Sequence, residues 1–228
     1  MKSITIGPAT LICGDALALL EAGRLGCDAI ISDPPYGIGY QHGGGIIATF
    51  AGTIIGDDAP FDPMPWVRHA GDKPIVLFGA DHYKERLPPG GRFIAWDKSC
   101  GMGPAAQFSD AEFAWTNRRN PRAIFRHFWM GALRSGDPVA NSRNRRLHVS
   151  QKPVELMAWC LDHARVGLGK RVLDPYMGSG STGMACMMTG RRFLGVEIDP
   201  AIFETARARM QALWDRMQTE ARAGDDHH

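Results

Sequence analysis

Short apolar runs recur along the chain and are bounded by glycine, proline and acidic residues. Runs of this kind are typical of buried strands in a parallel sheet, because such strands are covered on both faces. The pattern predicts strands near residues 10–13, 29–32, 74–78, 92–96, 171–173 and 193–196.

Apolar residues also recur at helical spacing between several of these strands. One stripe begins after Pro153 and another after Pro200, and proline favours the first turn of a helix. We expect both stripes to lie in the core. Strands that alternate with helices predict an α/β fold with a doubly wound, parallel sheet. Residues 37–60 and 99–120 fit neither period, and we predict loops near the functional site there.

A chain of 228 residues, 44% apolar and 22% charged, is long enough for one sizeable core. We predict a single domain over 1–228, with a small insertion at 99–146 and a disordered tail at 220–228. No apolar run approaches the length of a membrane span, and Gly7-Pro8 interrupts the first one, so neither a membrane anchor nor a signal peptide is expected. The five cysteines form no C-x-x-C pair, which favours a reducing cytoplasm and argues against zinc.

The formal net charge of +2 hides a strong asymmetry along the chain. Between Lys98 and Lys152, ten basic residues stand against three acidic ones, an excess of +7, with aromatic residues interleaved. A basic segment with stacking side chains is typical of nucleic-acid binding, although a solvated arginine-rich surface has the same pattern. The candidates for contacts to a nucleic-acid backbone are Arg118, Arg119, Arg143, Arg145 and Arg146.

The first candidate site directly follows the strand predicted at 29–32, and it reads Asp33-Pro34-Pro35-Tyr36. A proline pair often does no more than end a strand. These residues also suit catalysis, because the Asp33 carboxylate and a rigid carbonyl on Pro34 can accept the hydrogens of an exocyclic amine. The amine nitrogen can then attack an electrophilic methyl group. The ring face of Tyr36 would stack on a base flipped out of a duplex, a role in which its hydroxyl has no part.

The second candidate site follows the strand predicted at 171–173. Its glycines let a ligand approach the backbone closely, and Glu197, roughly 20 residues further on, is placed to bind a ribose diol. The G-x-G-x-x-G pattern is matched only in part and G-K-[ST] is absent, so a mononucleoside cofactor such as S-adenosylmethionine fits better than NAD or ATP. The candidate cofactor residues are Asp174, Pro175, Gly178, Ser179, Gly180, Ser181, Thr182 and Glu197.

A D-P-P-Y motif that precedes a glycine-rich motif resembles the amino-methyltransferases of DNA, which methylate N6 of adenine or N4 of cytosine. The order of the motifs resembles their permuted, beta-type group. The resemblance implies a seven-stranded, mostly parallel, Rossmann-like sheet with helices on both faces. It also implies S-adenosylmethionine as cofactor, double-stranded DNA as partner and a flipped base as substrate. In this family Asp15 would contact the adenine of the cofactor, and Lys152, in a Q-K-P sequence, would line its methionine end. Tyr176 stands where the family usually has phenylalanine.

Several alternatives stay open. An acid at the head of the first motif favours N6-adenine, since Ser-Pro-Pro is typical of the N4-cytosine group. RNA and protein amino-methyltransferases carry a related N-P-P-Y, but their cofactor motif normally comes first. A non-catalytic DNA-binding module is a further alternative, although every residue that the chemistry requires is present. Because little of the chain lies outside the catalytic core, we expect a short or relaxed target site, or help from a homodimer. The resemblance favours a bacterial or phage restriction–modification enzyme.

Overall fold

The structure, a computed structural model, describes residues 1–38, 55–101, 109–119, 123–130, 133–134 and 151–225. Over this part of the chain, the strands are β1 (Lys2–Ile6), β2 (Ala9–Cys13), β3 (Ala29–Ser32), β4 (Ile75–Phe78), β5 (Arg92–Asp97), β6 (Ala111–Thr116), β7 (Ile124–Arg126), β8 (Trp129–Met130), β9 (Leu133–Arg134), β10 (Arg171–Asp174) and β11 (Arg192–Glu197). The α-helices are α1 (Ala16–Glu21), α2 (Met64–Ala70), α3 (Val154–His163), α4 (Ser181–Met188) and α5 (Pro200–Asp225).

One mixed sheet organises the fold, with the strand order β1-β2-β11-β10-β3-β4-β6-β5-β7. The neighbours from β2 to β4 are all parallel, as are β5 and β7, whereas β1 and β6 run antiparallel to their neighbours. Strands β10 and β11 come late in the chain but lie between β2 and β3. The carboxyl ends of β3 and β10 are therefore adjacent, although their sequences are far apart.

Side chains alternate between the two faces of the central strands, as the pleat of a strand requires. Ile31 and Val172 lie in one buried cluster with residues of α3, α4 and α5. Ile30 and Leu173 lie in a second cluster with residues of α1 and α2. The predicted doubly wound α/β fold is confirmed. The two predicted apolar stripes are also core, since Leu161 of α3 and others on both helices are buried.

The prediction of loops at 99–120 is wrong for residues 111–116. These residues form β6, which lies between β4 and β5 and pairs Trp115 with Leu77 and with Phe93. Aromatic residues at Phe113 and Trp115 favour a strand, and only burial against two neighbours reveals how central this strand is. The expected insertion at 99–146 therefore contains a strand of the main sheet.

Two further predictions need correction. Over the described part of the chain the sheet has nine strands, where seven were expected, and β1 and β7 form its two edges. Helix α5 runs to Asp225, so most of the tail expected to be disordered at 220–228 is helical, and residues 226–228 lie outside the described part. Among the described residues, no helix has both the length and the apolar character that a membrane-spanning helix requires.

Close packing between α4, α5 and β11 makes Gly183 sensitive to substitution. A Cβ at this position would lie 2.6 Å from Cε of Met210 and 2.8 Å from the ring of Phe193. A glycine-to-alanine change inside a helix ordinarily stabilises by about 1 kcal/mol. Here we expect Gly183→Ala to lower the free energy of unfolding by roughly 1–3 kcal/mol, because overpacking displaces both side chains.

Urea unfolding followed by circular dichroism measures this change. Gly26→Ala is the matched control, since no heavy atom lies within 4 Å of its added Cβ. The control should stay within about 0.5 kcal/mol of the wild type. A Gly183→Ala protein at least as stable as the wild type would contradict the packing described here.

Candidate functional site

The two sequence motifs meet at the carboxyl ends of β3 and β10. Ser32, the last residue of β3, donates its hydroxyl to Oδ1 of Asp174 over 2.6 Å. Thr182 donates to Oδ2 of the same carboxylate over 2.7 Å, and the amide of Tyr176 donates to Oδ1 over 3.1 Å. Asp174 therefore ties together the end of β3, the glycine-rich turn and the start of α4.

Asp174 is 2% exposed, and burial raises the pKa of its carboxyl to about 7. The hydrogen bonds from Ser32, Thr182 and Tyr176 oppose this rise by favouring the ionised form. The position of Asp174 behind the turn indicates that it organises the site and does not face a ligand.

Asp33 lies in a dense set of charged and polar contacts. Lys152, which precedes α3, donates from Nζ to Oδ2 of Asp33 over 2.6 Å. The hydroxyl of Tyr36 donates to Oδ1 of Asp33 over 2.5 Å and accepts from Lys152 over 3.2 Å. Nζ of Lys152 also lies 3.0 Å from Oε2 of Glu112 on β6, and Lys98 at the end of β5 donates to Oε1 of Glu112 over 3.0 Å.

Opposite charges alternate through this network as Lys98, Glu112, Lys152 and Asp33. Burial raises the pKa of Asp33, and the ammonium of Lys152 opposes that rise. Burial alone would also raise the pKa of Glu112, but Lys152 and Lys98 together lower it to about 2. Burial would lower the pKa of Lys152, yet the two carboxylates outweigh burial and raise it. The ion pairs therefore favour the charged forms of Glu112 and Lys152.

Tyr36 presents its ring and its hydroxyl to different partners. The ring stacks on His82 with 5.0 Å between centroids and 18° between planes, and it lies close against Gly79, where a Cβ would come within 2.0 Å of it. Glycine at 79 therefore makes room for the ring. The hydroxyl, to which the sequence assigned no role, bonds to both Asp33 and Lys152. Burial raises the pKa of Tyr36 well above its ordinary value, so the hydroxyl keeps its proton.

The glycine-rich turn forms a second, open part of the site. Gly178 and Gly180 have φ values of +50° and +86°, a conformation that other residues adopt only with strain. The amide of Gly178 donates to Oε2 of Glu197 over 3.1 Å, and a Cβ on Gly178 would meet nothing within 4 Å. Burial raises the pKa of Glu197, while this amide and that of Asp199 oppose the rise. The backbone at Gly178 is therefore accessible to a ligand close to the Glu197 carboxylate.

Not every predicted cofactor residue faces this opening. Asp15 follows β2 beside the end of β11 and is exposed, and its carboxylate caps α1 by accepting from the amide of Leu17 over 2.8 Å. Ser179 is turned inward, where its carbonyl accepts from the buried guanidinium of Arg209 over 2.6 Å. Lys152 lies against Asp33, whereas the sequence placed it at the cofactor.

Other predicted cofactor residues are buried. Thr182 is occupied by Asp174, and Pro175 is also buried. The hydroxyl oxygen of Ser181 is buried and has no hydrogen-bond partner among the described residues. Of the hydroxyl groups in the turn, this one is therefore still available to a group that enters the turn.

The predicted nucleic-acid contacts are distributed differently from the catalytic residues. We call the edge of the sheet at the carboxyl ends of β3 and β10 the catalytic edge. Because β6 runs antiparallel to β4, Glu112 at the start of β6 lies on this edge. Arg118 and Arg119 follow the end of β6 at the opposite edge. Asn117 confirms this placement by accepting from the amide of Ile75, the first residue of β4. Arg143, Arg145 and Arg146 lie outside the described residues.

Comparison with known proteins decides the family. The family model described as DNA methylase, of the N6/N4 type, matches residues 116–208. Type II methyltransferase M2.DpnII of Streptococcus pneumoniae is 37% identical over 230 residues, covering 81% of this chain and 82% of that protein. The chain belongs to the N6/N4 DNA methylase family.

Two further similarities agree with this membership. Type II methyltransferase M.XycI of Xanthomonas campestris pv. cyanopsidis is 34% identical over 84 residues, a match to 36% of this chain and 28% of that protein. The crystal structure of the M1.HpyAVI-SAM complex superposes with a TM-score of 0.57 at 25% identity, covering 89% of this chain and 98% of that one. The family indicated by the sequence is confirmed.

Sequence reasoning missed three groups in this methylase site. Glu112 lies within the segment 99–120 that was predicted as loop, and Lys98 directly precedes it, so neither was selected. Tyr176 was expected only to replace a phenylalanine, but its hydroxyl accepts from Nε1 of Trp66 over 3.1 Å. This bond joins the glycine-rich turn to α2, and no short motif around Trp66 predicts it.

Asp174 should make the stability of the protein depend on pH. The pKa of Asp174 is about 7 in the folded protein and about 3.9 in an unfolded chain, so protonation of Asp174 stabilises the folded protein fully below about pH 3.9. This stabilisation decreases as the pH rises toward 7, and above 7 it changes no further. We expect the unfolding free energy of the wild type minus that of Asp174→Asn to fall by roughly 2–4 kcal/mol between pH 4 and pH 8. Urea unfolding at intervals of pH measures it, and parallel curves for the two proteins would contradict the assignment.

Proposed function

We propose that the chain is a beta-type DNA methyltransferase that transfers a methyl group from S-adenosylmethionine to the N6 amino group of adenine. One observation carries the proposal. The carboxylate of Asp33 and the open turn at Gly178 follow adjacent parallel strands, β3 and β10, at the same edge of the sheet. In open α/β sheets ligands bind at the carboxyl ends of such strands.

The opening at Gly178 fits a nucleoside cofactor. Its amide, the Glu197 carboxylate and the exposed Asp15 lie near one another at the ends of β10, β11 and β2. Glu197 would accept the two hydroxyls of a ribose, as an acid in this place does in nucleotide-binding folds. The related M1.HpyAVI structure, a complex with SAM, supports this choice. Bound S-adenosylmethionine supplies a methyl group on a positively charged sulfur.

Asp33 would act on the target amine. A carboxylate oxygen has two lone pairs, and the bonds from Tyr36 and Lys152 use one on each oxygen. The remaining lone pairs can accept a hydrogen of an exocyclic amine, with the Pro34 carbonyl accepting the other. These bonds would localise the lone pair on the nitrogen, which would bond to the methyl carbon as the carbon–sulfur bond breaks. The sulfur would keep that electron pair as a neutral thioether, and the methylated amine would release one proton to solvent. No covalent bond between the enzyme and the base is required.

Tyr36 and His82 would receive the flipped base. One face of the Tyr36 ring is covered by His82, so a base either stacks on the other face or takes the place of His82. Adenine is favoured by the acid that opens the motif. Cytosine N4 is the second candidate substrate, because its exocyclic amine presents the same hydrogens to Asp33.

Asp33→Asn should abolish methyl transfer while leaving the binding of S-adenosylmethionine nearly intact. The substitution keeps the shape of the side chain and removes the charge that accepts from the amine, whereas the proposed cofactor contacts lie at the ends of β10, β11 and β2. Incubation of mixed-sequence DNA with labelled cofactor, followed by nucleoside analysis, measures N6-methyladenine and N4-methylcytosine separately. Calorimetry measures the cofactor affinity.

Asp28→Asn is the matched control, because Asp28 adjoins the other end of β3 and accepts from the amide of Arg171. We expect the control to methylate DNA at the wild-type rate. An Asp33→Asn enzyme with a comparable rate overturns the role of Asp33. Loss of activity in proportion to loss of folded protein would instead assign Asp33 a purely structural role.

The placement of the arginines predicts which of them contact DNA. Arg126 ends β7 on the catalytic edge, its side chain is 67% exposed, and it lies 3.5 Å from Asp97. Arg119 is exposed at the opposite edge. We expect Arg126→Ala to reduce the slope of log affinity against log salt concentration by about 1, which is the contribution of one phosphate contact. Arg119→Ala should leave this slope unchanged. Fluorescence anisotropy with duplex DNA at several salt concentrations measures both, and equal slopes for the two variants would contradict the placement.

A further inference from the structure

Glu112 reaches the catalytic edge from a strand that runs against its neighbours. It pairs with Trp96 across β5 and β6, and the antiparallel direction of β6 brings its second residue to the carboxyl ends of β4 and β5. Its side chain is 27% exposed and lies between two ammonium groups, those of Lys98 and Lys152. Among the described residues Glu112 forms no hydrogen bond or ion pair with Asp33, and Lys152 lies in contact with both carboxylates.

Nζ of Lys152 lies close to three oxygen atoms from three side chains. It donates to Oδ2 of Asp33 over 2.6 Å and to the hydroxyl of Tyr36 over 3.2 Å, and it forms an ion pair of 3.0 Å with Oε2 of Glu112. These oxygens come from three parts of the chain, and the lysine itself is 5% exposed. Two hydrogen bonds and the ion pair with Glu112 together restrict where this buried ammonium can lie. Glu112 therefore contributes to the position of the Lys152 charge relative to Asp33.

We propose that Glu112 is a positioning residue for methyl transfer. Its carboxylate attracts the ammonium of Lys152 alongside Asp33 and thereby leaves Asp33 free to accept from the target amine. This inference rests on the proposed function. When Glu112 is present, the ammonium divides its attraction between two carboxylates. Without that charge, Lys152 has Asp33 as its one anionic partner and competes more strongly with the amine for the same oxygens.

The arrangement predicts that removal of the Lys152 charge and removal of the Glu112 charge shift the pH dependence of methyl transfer in opposite directions. The groups that face Asp33 are Lys152, Tyr36, Glu112 on β6, Asp174 on β10 and Tyr83 beyond β4. Lys152 lowers the pKa of Asp33 and Glu112 raises it. If transfer requires ionised Asp33, Lys152→Met should move the acid limb of the rate to higher pH. Glu112→Gln should move the same limb to lower pH while it slows the step.

Single-turnover methylation of duplex DNA, with enzyme in excess and saturating S-adenosylmethionine, isolates the chemical step. We expect Glu112→Gln to lower its rate constant by roughly 10- to 100-fold, the scale of a misplaced reacting group. The dissociation constant of S-adenosylmethionine should stay within about twofold, and thermal unfolding should confirm a folded protein. Glu112→Asp keeps the charge at a shorter reach and should recover part of the rate.

Asp162→Asn is the matched control, because Asp162 on α3 forms a carboxylate–cation pair of 2.7 Å with Arg191 away from the site. It should leave the rate unchanged. An unaltered rate in Glu112→Gln overturns the inference, as does a loss proportional to the unfolded fraction or an acid limb that moves the same way in both variants. Weakened cofactor binding without a slower chemical step also overturns it, because Lys152 would then serve the cofactor. A wild-type protein that methylates no DNA overturns the proposed function, and this inference with it.

Discussion

The parallel pairing of β3 with β10 is the constraint on which the site depends. These strands come from distant parts of the chain, and their pairing aligns Ile30 with Leu173. The buried bond from Ser32 to Asp174 then fixes one motif against the other at the strand ends. A carboxylate for the substrate and a turn for the cofactor are thereby held side by side. A shift in register by one residue would turn every side chain of β3 to the opposite face and separate them.

Charge burial is the second constraint on the site. Lys152 and Asp33 lie where isolated charges would be costly, and the alternating series from Lys98 to Asp33 gives each charge an opposite neighbour. Such a network holds its members in place more firmly than exposed ion pairs do. The same burial also perturbs their pKa values, a property that is common at catalytic sites. Burial raises the pKa of the Asp33 carboxyl and the ammonium of Lys152 opposes that rise, so the ion pair that places Asp33 also favours its ionised form.

The two parts of the site differ in how they are held. The catalytic part relies on ion pairs, whereas the glycine-rich turn is supported from behind by neutral packing and by Arg209, whose guanidinium binds the Ser179 carbonyl. Tyr176 adds a bond from this turn to Trp66 on α2. Arg209 lies on α5 and Trp66 on α2, helices that pack in different buried clusters. The glycine-rich turn is therefore held by contacts to both clusters.

The sequence by itself determined the fold class, most strands and the two motifs, because these depend on local period and on short chemical patterns. Asp33 and Gly178 could be selected from such patterns alone. Tertiary structure decided which residues surround them. β6 was missed because its central position comes from pairing with β4 and β5, and this hid Glu112. The direction of β6 also separated Arg118 and Arg119 from the catalytic edge, although they belong to the most basic segment of the chain. Lys152 was found as a motif residue, but its bond to Asp33 was not predicted, since spacing along a chain does not encode which buried charge an ammonium will meet.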